Sequence, residues 1–434
     1  MIYFLSFILI LSFLIFFKET IFGISFKRRN YNGIIFFQEY FLMVVLGVCV
    51  VVFFGIDKIT VFYVNKDNLI NSSLVILSTF FLFLLTILFL SKTVFKNYLS
   101  FNCQYCNTVN SKFYINCFSF YLLVLVIVLH VLGVKHAVLS SIVSGADLLS
   151  TRLNNRYVSN APNFLLTNLR FIYIILAGFL AINLSNKSIS FYNKFFVFVL
   201  IIYASSLTGD KAPLINCFLI FIIGYFYSLG DKINFTKILK YSLPVLFVSL
   251  ATIFYLIRVQ FENLSVYETF EYILLRTSSG QMMGAYEQLD LKIQGFDYIW
   301  RSVPFANFFI DYKEYSKDLM LNTWGYYKSY SEVGVMNSYF IGEAYAIGGY
   351  FLLFISPFIV GFNYCLSLYV MIYIMHRFFK LDKGFSMRVI GITAIFLFPI
   401  TGDIAGLLFL KLLVMYIIFL TPVFFLVGLS RSFK

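Results

Sequence analysis

Residues 69–91 read LINSSLVILSTFFLFLLTILFLS, twenty-three positions without a charge, entered from Lys66-Asp67 and left at Lys92. At 1.5 Å rise per residue, a helix of this length covers the roughly 30 Å hydrocarbon core of a bilayer. The run lacks the apolar–polar alternation of a transmembrane barrel strand. Inside lipid every backbone amide and carbonyl must bond within the chain, so the run reads as a membrane-spanning helix. Comparable runs recur near 2–17, 36–56, 116–134, 164–185, 194–209, 213–229, 241–257, 339–375, 385–401 and 405–428. The expected fold class is all-α: a polytopic helical bundle of about eleven transmembrane helices with one large loop on the outer side.

Composition agrees with that reading. Of 434 residues, 61% are apolar and 12% charged, whereas a soluble domain needs about a quarter charged. The net charge of +13 comes without a basic cluster interleaved with stacking aromatics, so nucleic acid is not an expected partner. Loop cations explain it better. Lys92, Lys96 and Lys112, then Lys187 and Lys194, then Lys232, Lys237 and Lys240 fall on one side if the helices alternate. Arg377, Lys380, Lys383 and Arg388, and finally Arg431 and Lys434, fall on the same side. That side is assigned as cytoplasmic, which puts the N-terminus outside and the C-terminus inside. The first apolar stretch has no cation ahead of it and Lys18, Lys27, Arg28 and Arg29 behind it. It is therefore expected to be a retained helix, not a cleaved signal.

Three regions follow: helices 1–8 within 1–257, the loop 258–337, and helices 9–11 within 338–434. The loop holds ten Asp/Glu against seven Lys/Arg in a chain that is otherwise basic. Tyr267–Leu275 and Gly284–Ile293 carry helical patterns, so the loop is expected to fold over the membrane surface. A second outer loop, Lys135–Pro162, includes Ala137–Leu149, a candidate re-entrant or interfacial helix. The two short helices within 194–229 put the turn Thr208-Gly209-Asp210-Lys211-Ala212-Pro213 below the outer surface, where charge is costly. By contrast 339–375 is too long for one span, about 55 Å as a continuous helix. Gly348-Gly349 is the expected break, leaving a short piece at the outer surface with Asn337 or Ser338 as its N-cap.

Several side chains in these segments suit chemistry. Glu343 stands in an uncharged stretch between Gly342 and Ala344-Tyr345, where small neighbours admit a substrate and partial desolvation favours general-base use. The plainer account is an interfacial carboxylate paired with an arginine. Arg276 opens Arg276-Thr277-Ser278-Ser279-Gly280, with Gly284 beyond, and a guanidinium fork beside hydroxyls and glycine amides suits a pyrophosphate. It could equally hold the acidic residues of its own loop. Arg258 can snorkel from its helix end, and Arg301 beside Trp300 can serve as a belt anchor. Asp210 and Lys211 form either a mutual ion pair or an anion site, and Arg152 and Arg156 lie one turn apart on a polar loop face. No Asp-x-Asp pair, Walker motif or dinucleotide glycine pattern is present. Cys103-x-x-Cys106 is at most half a zinc site, and His130, His136 and His376 are too scattered for a Ser-His-Asp set. Neither a metal nor a cofactor is expected.

In layout the chain resembles the O-antigen polymerases (Wzy-type) of bacteria across nearly its whole length. The resemblance is carried by the opening helix before Phe26-Lys27-Arg28-Arg29-Asn30, the many helices and the large late loop. Local matches are Leu207-Thr208-Gly209-Asp210-Lys211, Leu275-Arg276-Thr277-Ser278 and Asn337-Ser338-Tyr339-Phe340-Ile341-Gly342-Glu343-Ala344-Tyr345. Relatives often carry a small residue and Arg where this chain has Asp210-Lys211. The resemblance implies an inner-membrane glycosyltransferase that polymerises undecaprenyl-pyrophosphate-linked oligosaccharide repeat units at the periplasmic face, with a chain-length regulator as an optional protein partner. It implies Glu343 as base or orienting acid and Arg276 with Arg258 on the pyrophosphate. Arg301, Arg152, Arg156, Lys211, Asp210, Tyr345 and Asn337 would bind substrate.

Two rivals stand beside it. The O-antigen ligases share the topology but resemble a family with a functional His in the large loop, and 258–337 contains none. A transporter or flippase of lipid-linked sugars would need polar residues along a path through the membrane, often on paired repeats, and these helices are nearly charge-free.

Overall fold

The structure, a computed structural model, describes residues 7, 40, 43–54, 66–96, 111–144, 161–228, 247, 251, 254, 257, 265–324, 335–400 and 406–432. The helices expected near 2–17 and 241–257 fall almost wholly outside these residues. So do the basic stretch 26–30, Cys103, Cys106, Arg152, Arg156 and Arg258.

Every described element is helical, with no strand among the described residues. In chain order the helices are α1 Leu46–Phe54, α2 Lys66–Lys92, α3 Ser111–Val131, α4 Ala137–Ser144, α5 Asn163–Ile182, α6 Phe191–Ser206 and α7 Lys211–Ser228. They continue as α8 Val266–Thr277, α9 Met283–Leu291, α10 Tyr315–Trp324, α11 Phe340–Arg377, α12 Lys383–Leu397 and α13 Leu410–Ser432. Five of them, α2, α3, α5, α11 and α13, are long and apolar enough to cross a membrane. The chain is thus an all-helical protein of membrane-spanning character. The segments expected at 36–56, 194–209 and 213–229 contribute shorter apolar helices among the described residues.

The chain divides into two compact units. The first comprises Met1–Asn102, Leu246–Val370 and Phe398–Val414. Its reference element is α2, the helix of the charge-free run. At the start of α2, Asn68 donates to Asp290 at 2.9 Å. One turn further, the hydroxyls of Ser73 and Tyr286 meet at 2.8 Å, so α9 runs antiparallel to α2. Deeper still, Tyr339 stacks on Phe80 with ring centroids 4.8 Å apart, and Phe340 lies 5.5 Å from Phe83. Phe80 is twelve residues beyond Asn68, about 18 Å along the axis.

The start of α11 therefore packs near the middle of the apolar run. The sequence reading expects this piece at the outer surface; its packing partners are the rings of Phe80 and Phe83 on α2.

The expected break in α11 is present. Gly348 has φ −143° and ψ 24°, and Gly349 has φ 59° and ψ −152°, a conformation that only glycine adopts readily. The Gly295 amide closes on the Ala346 carbonyl at 2.8 Å, just before the kink. Beyond it, residues 350–377 form about 42 Å of helix, ample for one span. Asn337 does not cap it; the helix begins at Phe340 and the Asn337 amide donates to Gln281 at 2.9 Å.

The second unit comprises Cys103–Val245, Met371–Leu397 and Met415–Lys434. Helix α5 is its centre and packs on α3, α6, α7 and α12. Small residues set how closely they approach, as the weak hydrophobic driving force between helices in lipid requires. A Cβ at Gly224 of α7 would lie 2.3 Å from the Ala181 Cβ of α5. Tyr416 stacks on Phe171 at 4.5 Å between centroids and donates to the Leu397 carbonyl at 2.7 Å.

Gly224→Leu should overpack this contact and cost about 1–3 kcal/mol. A lowered unfolding midpoint in detergent would report it. Gly428, with nothing within 4 Å of its Cβ position, should accept Ala with an unchanged or raised midpoint.

Candidate functional site

Helix α8 starts with a reciprocal cap: Ser265 Oγ accepts from the Glu268 amide at 3.2 Å, and Glu268 Oε2 accepts from the Ser265 amide at 2.7 Å. It stops at Thr277 and gives way to a 3-10 turn, Ser279–Gln281. Helix α9 starts two residues later. The turn and the start of α9, which directly follow the stretch 275–278, meet the beginning of the stretch 337–345. The Gly284 amide donates to the Asn337 carbonyl at 2.9 Å, and the Asn337 side chain donates to Gln281 Oε1 at 2.9 Å.

Two glycines make that meeting close. A Cβ at Gly284 would sit 2.7 Å from the Asn337 carbonyl oxygen and 3.0 Å from Ser338 Cβ. A Cβ at Gly342 would sit 2.6 Å from Tyr315 Oη and 3.1 Å from the same Ser338 Cβ. The Tyr315 hydroxyl itself donates to the Gly284 carbonyl at 3.3 Å. Ser338 and the Tyr315 hydroxyl thus lie between Gly284 and Gly342.

Each glycine is followed by a carboxylate taken out of solvent. Glu343 adjoins Gly342 and is 1% exposed; Glu287, one turn along α9 from Gly284, is also 1% exposed. Gln288 is fully buried beside it, donating to the Ile293 carbonyl. Among the described residues its Oε1 has no hydrogen-bond partner, and neither has the buried Tyr339 hydroxyl. A ligand hydroxyl would satisfy either atom.

The other predicted residues divide as follows. The backbone of Arg276 lies in the last turn of α8, beside this cluster. Arg301 donates to Ser316 Oγ at 3.2 Å and faces Glu314 at 3.7 Å, with Lys317 on the same carboxylate at 3.6 Å. Arg301 is thus tied to its own loop, a role that the sequence reading of substrate binding or belt anchor did not include. Tyr345 packs edge-on against Tyr350 at 5.0 Å between centroids. Asp210 and Lys211 belong to the second unit, with Arg152 and Arg156 in the same segment of chain. Sequence reasoning missed Glu287, Gln288, Tyr315 and Ser338. Helical spacing was the available signal for two of them, since Gly284, Glu287 and Gln288 fall on one face. Among the described residues no group of three His, Cys, Asp or Glu side chains could hold a metal ion.

In the second unit the stretch Leu207–Lys211 turns at Gly209, whose φ is 76°. Thr208 Oγ1 donates to Asp210 Oδ2 at 3.0 Å. The Leu207 carbonyl accepts from the Ala137 amide at 3.0 Å, so the first residue of α4 is pinned to this turn. His136 caps α4. Its Nδ1 accepts from the Leu139 amide at 3.3 Å, which fixes the proton on Nε2, facing Ser206 Oγ at 3.2 Å. Ser206 in turn donates to the Ile202 carbonyl at 2.7 Å. The histidine therefore donates to this serine and does not activate it.

Burial lowers the His136 pKa, and the neighbouring His130 pushes the same way. A protonated Nδ1 could not accept from Leu139, and positive charge at a helix N-terminus is unfavourable. Stability from a base depressed in the folded state is complete above its unfolded pKa of 6.5 and is lost as pH falls through the folded value. The protection of the amides across 139–144, after correction for the intrinsic pH dependence of exchange, should fall as pH drops below 6.5. His136→Asn keeps a capping oxygen and should remove that dependence.

No protein-family model, curated protein or solved structure matches the chain.

Proposed function

We propose that the protein polymerises undecaprenyl-pyrophosphate-linked oligosaccharide repeat units by glycosyl transfer. One observation carries the reading: the turn and helix start that directly follow the Arg276 stretch bond to the first residue of the Glu343 stretch, through Gly284–Asn337 and Gln281–Asn337. The sequence reading assigns those two stretches to pyrophosphate binding and proton transfer. Gly284 and Asn337 lie 53 positions apart in the chain (337 − 284), so the contact is tertiary. Five apolar spanning helices suit a lipid-borne substrate.

In this reaction the acceptor's terminal hydroxyl oxygen forms a bond to the anomeric carbon of the donor chain's first sugar. The bond from that carbon to the pyrophosphate oxygen breaks, and undecaprenyl-pyrophosphate leaves with the electron pair. The Glu343 carboxylate takes the hydroxyl proton. Arg276 and Arg258 offset the charge developing on the leaving group. Asn337, Tyr345 and the orphan Gln288 oxygen offer hydrogen bonds for sugar hydroxyls. Arg301 is already engaged by Glu314 and holds the loop. Arg152, Arg156, Lys211 and Asp210 serve the growing chain. The setting of the proposal is a bacterial inner membrane, with the N-terminus periplasmic and the C-terminus cytoplasmic, and with a chain-length regulator as an optional partner.

A second reading draws on the two buried carboxylates. Ionisable groups inside a spanning protein also mark proton or ion paths, so a transporter of lipid-linked sugars is the alternative.

The test is a surface-polysaccharide gel from a deletion strain carrying no gene, the wild-type gene or Glu343→Gln. The proposal expects a single lipid A-core-linked repeat unit in the deletion and a full ladder on rescue. Glu343→Gln should lower polymer by about 10²-fold or more, the range for loss of a general base. Loss of every attached repeat, with long lipid-linked polymer accumulating, would identify a ligase. An unchanged ladder in the deletion would sink both enzyme readings and favour the transporter. Near-wild-type polymer from Glu343→Gln would remove Glu343 as a required base.

A further inference from the structure

We infer that residues 266–291 form a re-entrant helical hairpin inside the bilayer: α8 descends along lipid acyl chains, 278–282 turn near mid-depth, and α9 climbs back along α2.

Three sets of contacts carry this. The first is the ladder on α2. Asp290 meets Asn68 at the start of the charge-free run, Tyr286 meets Ser73 one turn in, and Gly284 bonds to Asn337. Asn337 directly precedes Ser338 and Tyr339, and Tyr339 stacks on Phe80 near the centre of the run. Going backwards along α9 is thus going down into the membrane.

The second is the tip. A Cβ on Gly47 would come within 3.1 Å of the Ser278 carbonyl carbon and 3.3 Å of Ser279 Cα. Gly47 is the middle of the uncharged stretch bounded by Glu39 and Asp57. Both measures put the turn beside the middle of an uncharged run, one on α2 and one on α1. Backbone this irregular survives at membrane depth only inside protein, and Ser278, Ser279 and Gly280 are buried.

The third is the outward face of α8. Val266, Tyr267, Phe270 and Leu274 recur at one helical face and are 55%, 73%, 64% and 49% exposed, while Thr269 on the opposite side is fully buried. This apolar stripe runs nearly the length of the helix. The acidic residues Glu268 and Glu271 are confined to its first half, and the capped end at Ser265 is exposed. Beyond Glu271 the charge on α8 is that of Arg276 in its last turn. The direction of α8 follows from its two ends, the exposed cap at Ser265 and the buried turn at 278–280. Acyl chains are the occupant that fits an apolar stripe on a helix whose buried tip lies against the uncharged run of α1. The hairpin also brings the backbone of Arg276 to the level of the Phe340–Glu343 turn.

The test places tryptophan in the full-length protein at Tyr267 or Leu274, seven residues and about 10 Å of depth apart. The protein is reconstituted in phosphatidylcholine vesicles brominated near the headgroup or near the chain end. Quenching is read in excess of that of Trp300 and Trp324 in the parent. Asn322→Trp on the exposed polar face of α10 is the aqueous control. The inference expects Tyr267→Trp to be quenched more by shallow bromines, Leu274→Trp more by deep ones, and Asn322→Trp by aqueous iodide alone. Equal, shallow-weighted quenching at both stripe positions would overturn it in favour of a surface helix. Quenching of both by iodide would make the face aqueous. Insensitivity to every quencher would mean that protein, such as a second copy, covers the stripe. Each of these three results refutes the hairpin, and none depends on whether the protein forms polymer.

Discussion

The bond from the Gly284 amide to the Asn337 carbonyl joins two helix starts with no side chain between them. Its importance follows from where it lies. A helix start leaves amide donors unsatisfied, and in water solvent would bond them. Beside Phe80, which is fully buried, the partners must come from the chain. The structure meets the requirement by setting the start of α9 against the strand-like residues before α11. Glycines at 284 and 342 make that approach possible, because any Cβ at either place meets Asn337, Ser338 or Tyr315. The aromatic stack of Tyr339, Phe80 and Tyr40 then fills the space below.

Much of this was legible in the sequence, and the failures have a common cause. The charge-free run at 69–91 marks its helix because span length is a one-dimensional property. Gly348-Gly349 announced the break in α11, since a 38-residue helix exceeds one bilayer crossing and paired glycines are the least costly place to bend it. Tyr267–Leu275 and Gly284–Ile293 are helices, as their periodicity indicates. The neighbours of 337–343 were not legible. The sequence marks Asn337, Ser338 and Glu343 as polar, and polarity alone points to an interface. Their surroundings are set by which aromatic rings meet, Tyr339 on Phe80 and Phe340 beside Phe83, and such long-range pairings leave no local trace. Glu287 was passed over for the same reason, as an acidic residue in an acidic loop.

The two units contrast in how they handle polarity. In the second, α5 is buried along most of its length, and closeness to its neighbours comes from Gly178, Ala181 and Gly224. Its polar groups gather at the ends of helices, where His136, Ser206 and the Leu207 turn satisfy one another. In the first, polar groups accompany irregular backbone into the core of the unit. The second arrangement is what a scaffold needs, whereas the first is expensive unless the groups have a task.

The cost can be bounded for Glu343. Taking an ionised carboxylate out of water costs several kcal/mol even after local relaxation. Glu343 sits in the first turn of α11, and a helix start returns about 0.3–1 kcal/mol, up to about 2 in partly buried geometry. The dipole is thus one contribution among those that hold the carboxylate in place. The short segment between Ser338 and the Gly348–Gly349 kink lets the carboxylate hold this position without burdening the span that follows, because the kink separates the two mechanically. A continuous helix would have tied the chemistry to the packing of residues 350–377, and the glycines prevent that.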